Sequence, residues 1–213
     1  MERSSDGARF PPLGIWRVQN AVASPKTASL VAVMKSDMTS RDVTEFYRQI
    51  DLLGIEIWID AGWGVDALLG KQTRTHVDLD IVLHEKDRGL VIEFLRKRGF
   101  REIPREDSRP WNFVMGKGDG KEVDFHIIVL DDEGNGLYGP PEAGEGMYPA
   151  DALQGRGTVD GLPVRCISPE FQIRSHTGYE LDETDVKDVT ALAHRFGLDI
   201  PQEYLSVSTK ADK

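Results

Sequence analysis

Apolar residues recur along this chain in two rhythms, one helical and one of strict alternation. Val43, Phe46, Ile50 and Leu53 keep helical spacing, with Ser40 as a candidate N-cap and Gly54 as the stop. An apolar run over 55–60 predicts a strand, followed by a turn at Ala61-Gly62-Trp63-Gly64 and a short helical piece over 65–69 that Gly70 ends. The next strand alternates Asp78 and Asp80 with Leu79, Ile81 and Leu83. Residues 87–98 read as a helix with Leu90, Phe94 and Leu95 on one side and Gly99 as its stop. Strands are predicted over 111–115 and 122–130, around a glycine-rich turn at 116–120. The stretch 131–157 is rich in Gly, Pro and acids, and reads as a long loop that is either a binding lid or disordered. A hairpin turning at Asp160-Gly161 occupies 158–166. Ser168-Pro169-Glu170 opens a helix that breaks at His176-Thr177-Gly178-Tyr179. The last helix is capped by Asp182, buries Val186, Val189, Leu192 and Phe196, and ends at Gly197.

Residues 1–38 differ from the rest. They hold Pro11-Pro12, Pro25 and many small residues, without lasting periodicity. They are expected to form a disordered extension, with Met34 and Met38 as alternative starts. The order of their apolar and small residues is the reverse of a signal peptide's. Residues 39–200 then form the folded domain, and 201–213 a flexible tail.

Composition narrows the function. Of 213 residues, 29% are charged, the net charge is −10, and the only cysteine is Cys166. So acidic a chain is unsuited to nonspecific nucleic-acid binding, which needs clustered Lys and Arg. It suits a cationic small molecule. One cysteine forbids an intrachain disulfide and a cysteine-based zinc site, which points to a reducing, cytoplasmic setting. No apolar run is long enough to span a membrane. The oligomeric state is left open, with a homodimer as one option.

The chemistry concentrates in 57–83. Residues two apart in a strand share a face, roughly 7 Å from one to the next, so Asp78 and Asp80 present two carboxylates together. Like charges held this way call for a cation between them, and Mg²⁺ needs few protein ligands when phosphates supply the rest. The preceding Gly62 and Gly64 let backbone approach a phosphate, and helix-start N–H groups favour anions. Arg74 and His76, just ahead of the acids, are candidates for triphosphate contact; His76 reads equally as an anchor for its loop. Trp63 either supports the turn by packing or stacks on a base, Asp66 reads as an inert helix acid, and Lys71 as a solvated lysine. On the returning strand, alternation puts Asp124 and His126 on one side, against Val123 and Phe125.

The run A-G-W-G-V-D-A-L-L-G-K-Q-T-R-T-H-V-D-L-D-I resembles the antibiotic nucleotidyltransferases of the DNA polymerase β superfamily, the lincosamide and aminoglycoside enzymes. Ala61 stands where that family usually has a first glycine. The later segment H-T-G-Y-E-L-D-E-T-D is more similar to the lincosamide enzymes, and the resemblance covers 40–200. It implies the minimal nucleotidyltransferase fold: an α+β domain with a mixed, twisted sheet of four or five strands flanked by helices, and a C-terminal helical section. It implies Mg²⁺-dependent transfer of AMP from ATP, or another nucleoside triphosphate, to a hydroxyl of a small cationic antibiotic. Asp78, Asp80 and Asp124 are then the metal-binding and catalytic acids, with Asp124 open between ligand and general base. Gly62, Trp63, Arg74 and His76 are candidates for the nucleotide, and Glu145, Tyr179, Asp182, Glu183 and Asp185 for the antibiotic. Two other classes compete. One is a non-catalytic, antitoxin-like relative, against which all three acids being present weighs. The other is a transferase acting on RNA, which the low basic charge disfavours, or on protein.

Overall fold

The computed structural model describes residues 36–140, 146–175 and 181–204. At its centre lie two parallel strands, β2 (Asp78–His84) and β5 (Glu122–Leu130), registered so that Asp80 faces Asp124 and Val82 faces His126. Outside β2, β1 (Ile57–Ile59) runs antiparallel to it. Beyond β5 come β4 (Asn112–Gly116) and β3 (Arg101–Ile103), both in antiparallel pairings. The order β1-β2-β5-β4-β3 is the mixed sheet expected of the sequence, with helices on it.

The stretch 131–157 corrects the expectation of a long loop. It supplies β6 (Gly136–Tyr138), which pairs with the end of β5, then β7 (Met147–Tyr148) on β6, and a 3₁₀ turn at Ala152–Gln154. The sheet thereby reaches seven strands. Few residues here alternate cleanly, so the pairing is set by β5's unpaired end rather than by local pattern. The hairpin of β8 (Arg156–Val159) and β9 (Leu162–Arg165) turns as expected, with Asp160 and Gly161 both at positive φ, 47° and 74°.

Helix α1 (Ser40–Leu52) starts one residue earlier than Ser40 suggests. Thr39 is its cap, and Thr39 and Asp42 exchange side-chain and backbone hydrogen bonds. Its buried face holds Val43, Tyr47 and Ile50, while Leu53 is half exposed at 52%. Met38 is buried and its N–H donates to the His76 carbonyl, so the ordered chain begins before residue 39. Helix α2 (Ala61–Leu69) absorbs the predicted turn into its own first turn. Helix α3 (Glu85–Lys97) buries Val91 and Leu95 and exposes Leu90, one position away from the expected stripe. Helix α4 (Pro169–Ser175) begins with its proline, and α5 (Glu183–Phe196) buries Val189, Leu192 and Ala193. At the far end Tyr204 is buried, so the tail predicted from 201 returns to the core before leaving the described residues.

Alternation gives the sheet two faces. Leu79, Ile81, Leu83, Val123, Phe125 and Ile127 point into the larger core with α1, α2 and α5. Trp58, Val82 and Ile128 point the other way, to a smaller cluster with Tyr138, Tyr148 and Phe171. Asp80, Asp124 and His126 share that second face.

Candidate active site

Asp80 and Asp124 are cross-strand neighbours on the parallel pair, and His126 follows two residues on. One ligand atom from each lies within 4.8 Å of the others. Burial and the charges of Asp78 and Asp124 push the Asp80 carboxyl well above the ordinary range. Burial also raises Asp124, with Asp78 adding to it and His126 opposing. Asp124 Oδ1 is buried without a hydrogen-bond partner. Asp78, at the start of β2, is felt by both acids through its charge; among the described residues it is not in the tight cluster. Of the three acids that the sequence points to, Asp80 and Asp124 are brought together here with His126.

Asp60 was not foreseen. It is the N-cap of α2, buried at 7% exposure, and its backbone N–H donates to the Asp80 carbonyl. Its Oδ1 accepts from the Ala61 N–H at 2.7 Å and from Gln172 Nε2 at 3.0 Å. Its Oδ2 accepts from the Tyr148 hydroxyl at 3.1 Å and lies 3.3 Å from His126 Nδ1. Burial disfavours its charge, but His126, the Ala61 N–H and Tyr148 outweigh that and hold its carboxyl below the ordinary value. Burial would lower His126; the Asp60 hydrogen bond and the charges of Asp124, Asp60 and Asp80 instead push it up to about 9. Burial, then Asp60's charge, pushes the Tyr148 hydroxyl well above 10, so it remains a donor. The signal in the sequence was alternation: Asp60 lies two residues past Trp58, on the site's face.

The glycines at the start of α2 have packing duties. A Cβ on Gly62 would come within 2.5 Å of Arg74 Nη2 and 2.6 Å of His76 Nδ1, and one on Gly64 would collide with Gln172. The room over Gly62 is thus taken by the two side chains proposed for phosphate. His76 is 3% exposed, its Nε2 lies 2.6 Å from Asp66 Oδ2, and its ring lies on Trp63, centroids 4.6 Å apart. An Arg74 N–H points at Nδ1, 3.0 Å away, which makes Nδ1 the acceptor and Nε2 the donor to Asp66. His76 is therefore the anchor of its loop. Asp66, which also accepts from Thr73, is the far end of that anchor rather than an inert acid. Trp63 is buried and supports the turn by packing. Arg74 spans His76 and Asp188 of α5, 3.2 Å away. Ala61, in place of a glycine, is at φ 46°, a left-handed conformation that costs an alanine roughly 1 kcal/mol.

The residues proposed for the antibiotic divide. Glu145 and Tyr179 lie outside the described residues. Asp182 and Asp185 are the reciprocal cap of α5: Asp182 accepts the Thr184 and Asp185 N–H groups, and Asp185 accepts the Asp182 N–H. Those bonds give both carboxylates a structural role at the start of α5. Glu183 is 93% exposed in its side chain and faces Lys187 at 3.6 Å, an ordinary surface pair.

Comparison with known proteins agrees with this geometry. The sequence model of the aminoglycoside-2''-adenylyltransferase family matches residues 42–192. The chain is 34% identical to a lincosamide resistance protein of Staphylococcus haemolyticus over 161 residues, covering 73% of this chain and 98% of that one. It is 32% identical over 129 residues to a 2''-aminoglycoside nucleotidyltransferase of Escherichia coli, covering 61% and 67%. Among solved structures, the lincomycin-bound lincosamide adenylyltransferase LnuA superposes with a TM-score of 0.64 at 29% identity, over 74% of this chain and 98% of that chain. The fold is shared with a 2''-aminoglycoside enzyme solved with adenylyl-2''-tobramycin, TM-score 0.57, 23% identity, 74% and 89% covered. With the family pattern spanning both central strands and the carboxylates brought together on them, this chain belongs to the aminoglycoside-2''-adenylyltransferase family of antibiotic nucleotidyltransferases.

Proposed function

We propose that this chain transfers an adenylyl group from ATP to a hydroxyl of a lincosamide and releases pyrophosphate. One observation carries the choice of acceptor: the match to the lincosamide resistance protein runs over 98% of that protein, against 67% for the aminoglycoside enzyme. In the reaction the acceptor oxygen forms a bond to the α-phosphorus, the bond from that phosphorus to the pyrophosphate oxygen breaks, and the hydroxyl proton leaves for a base. In this proposal Asp124, beside Asp80 on the central strands, takes that proton. Asp80 and Asp124, with Asp78 and His126 beside them, would hold a divalent cation. The donor set fits one: two half-buried acids repel each other, and one buried oxygen of Asp124 lacks a partner. When bound, such an ion, Mg²⁺ in this proposal, neutralises charge on the triphosphate. Arg74, partly exposed, would bring its guanidinium to the same anion. No helix among the described residues is long and apolar enough to cross a membrane. A cytoplasmic setting, where ATP is available, completes the proposal.

Incubation with ATP, MgCl₂ and lincomycin or clindamycin should give the mono-adenylylated antibiotic by mass spectrometry, with a KM that depends weakly on salt. The family model's aminoglycoside name supports a second reading. Those substrates carry several charges, and screening over about 8–10 Å weakens each attraction, so their KM should climb with salt. Turnover of kanamycin or gentamicin alone would reverse the choice.

A further inference from the structure

We infer that His126 is itself a ligand of the divalent cation, through Nε2, that Asp60 is its positioning residue, and that the nitrogen donor shifts the site's preference from Mg²⁺ toward Mn²⁺. This rests on the nucleotidyl-transfer reading and goes beyond it, since carboxylates alone satisfy that reading. The ring has two nitrogens, and Nδ1 is turned to Asp60 Oδ2 at 3.3 Å and to the Tyr148 hydroxyl at 3.2 Å. A ring nitrogen of His126 lies within 4.8 Å of Asp80 and Asp124 oxygens, and with Nδ1 turned to Asp60 the ion is assigned to the nitrogen on the opposite edge, Nε2. Asp60 cannot turn away, because Ala61 and Gln172 hold its other oxygen. A carboxylate behind a histidine fixes tautomer and ring orientation and raises the basicity of the outer nitrogen; losing it commonly costs about 10–100-fold in metal affinity. Mg²⁺ prefers an all-oxygen shell, whereas imidazole favours ions of the transition series. Each added nitrogen donor therefore moves selection in one direction.

The test uses the full chain with Mn²⁺ and inorganic tripolyphosphate, which completes the oxygen shell without contributing nitrogen. Electron spin echo modulation should show ¹⁴N coupled to the manganese, and His126→Gln should abolish that coupling while Mn²⁺ still binds. Asp60→Asn keeps a good N-cap, yet its Nδ2 cannot accept from the imidazole. It should weaken Mn²⁺ at least about ten-fold, by EPR titration, with the melting temperature retained. Tyr148→Phe should weaken it less. In competition, wild type should favour Mn²⁺ over Mg²⁺ more strongly than His126→Gln does. Bound Mn²⁺ without ¹⁴N coupling would overturn the inference and leave the carboxylate site and adenylyl transfer standing. Coupling that survives in Asp60→Asn at unchanged affinity would overturn the role of Asp60. Failure to bind Mn²⁺ at all would overturn the inference together with the metal-dependent reading it rests on.

Discussion

Replacing Gly62 by alanine separates two reasons for a glycine at that place. If glycine is there so that a phosphate can come close, Gly62→Ala raises KM for ATP and leaves stability alone. The structure gives it another task. The new methyl would lie 2.6 Å from His76 Nδ1, 2.8 Å from its Cε1 and 2.5 Å from Arg74 Nη2. Arg74 can move, since its side chain is 37% exposed. His76 is boxed in by Trp63 and tied to Asp66. Overpacking costs about 1–3 kcal/mol, and a ring that swings off Asp66 leaves a buried carboxylate short of a bond, about 1–3 kcal/mol more. The total, about 2–6 kcal/mol, corresponds for a chain of this size to a fall of roughly 5–20 °C in melting temperature. Calorimetry on wild type, Gly62→Ala, His76→Ala and the double variant measures it. In the His76→Ala background the alanine should cost at least about 1 kcal/mol less than in wild type. A Gly62→Ala protein that melts with wild type would refute the packing argument and return the glycine to the phosphate.

Other outcomes follow from features already described. Asp80→Asn should lower transfer by at least roughly 10²-fold, the scale of losing one electrostatic contact to the reacting centre. The ionised Asp80 is disfavoured in the folded state, so the Asn variant should melt at or above wild type at neutral pH in metal-free buffer. That advantage should vanish below the ordinary carboxylate pKa, where Asp80 is protonated folded or unfolded; a lower melting temperature at neutral pH would contradict it. Cys166 is fully buried, its thiol pushed up to about 12, so iodoacetamide at about pH 8 should label it only at the rate the fold opens; immediate labelling would contradict that. A chain starting at Ser40 should be less stable than one starting at Met34. It lacks the Thr39 cap, about 1 kcal/mol, and the buried Met38, about 2 kcal/mol, and equal melts would sink this.

Strong local patterns in the sequence survived into the structure. The strand over 122–130 was legible because Val123, Phe125 and Ile127 alternate with polar residues over a long run, and the Asp80–Asp124 meeting followed from that face assignment. The caps at Asp182 and Gly197 and the turn at Asp160-Gly161 were legible because each uses a residue type its backbone requires. What failed depended on partners distant in sequence. Asp60 reads as one acid in a loop until His126, Tyr148 and Gln172, far along the chain, close around it. Leu90 and Val91 are equally apolar, and only the position of the sheet under α3 selects Val91. β6 and β7 have no alternation of their own and borrow their register from β5.

The parallel pairing of β2 with β5 also determines where this chain can change length. Asp80 and Asp124 meet because seven residue pairs from Asp78–Glu122 to His84–Ile128 are in register, and a slip of one residue would send one acid to the opposite face. Inserted or deleted residues within either run would therefore separate the acids. The connection between them runs through α3, β3 and β4, and β4 itself pairs with β5 on the side away from β2. Trp111 and Arg105 are tied to β5, through the Ile127 N–H and Glu122, but the turn residues at 106–108 and 118–120 can grow or shrink at a cost that rises slowly with length. Reporter peptides or affinity handles grafted into those turns should leave the acid pair intact, whereas a single residue added between 78 and 84 should remove it.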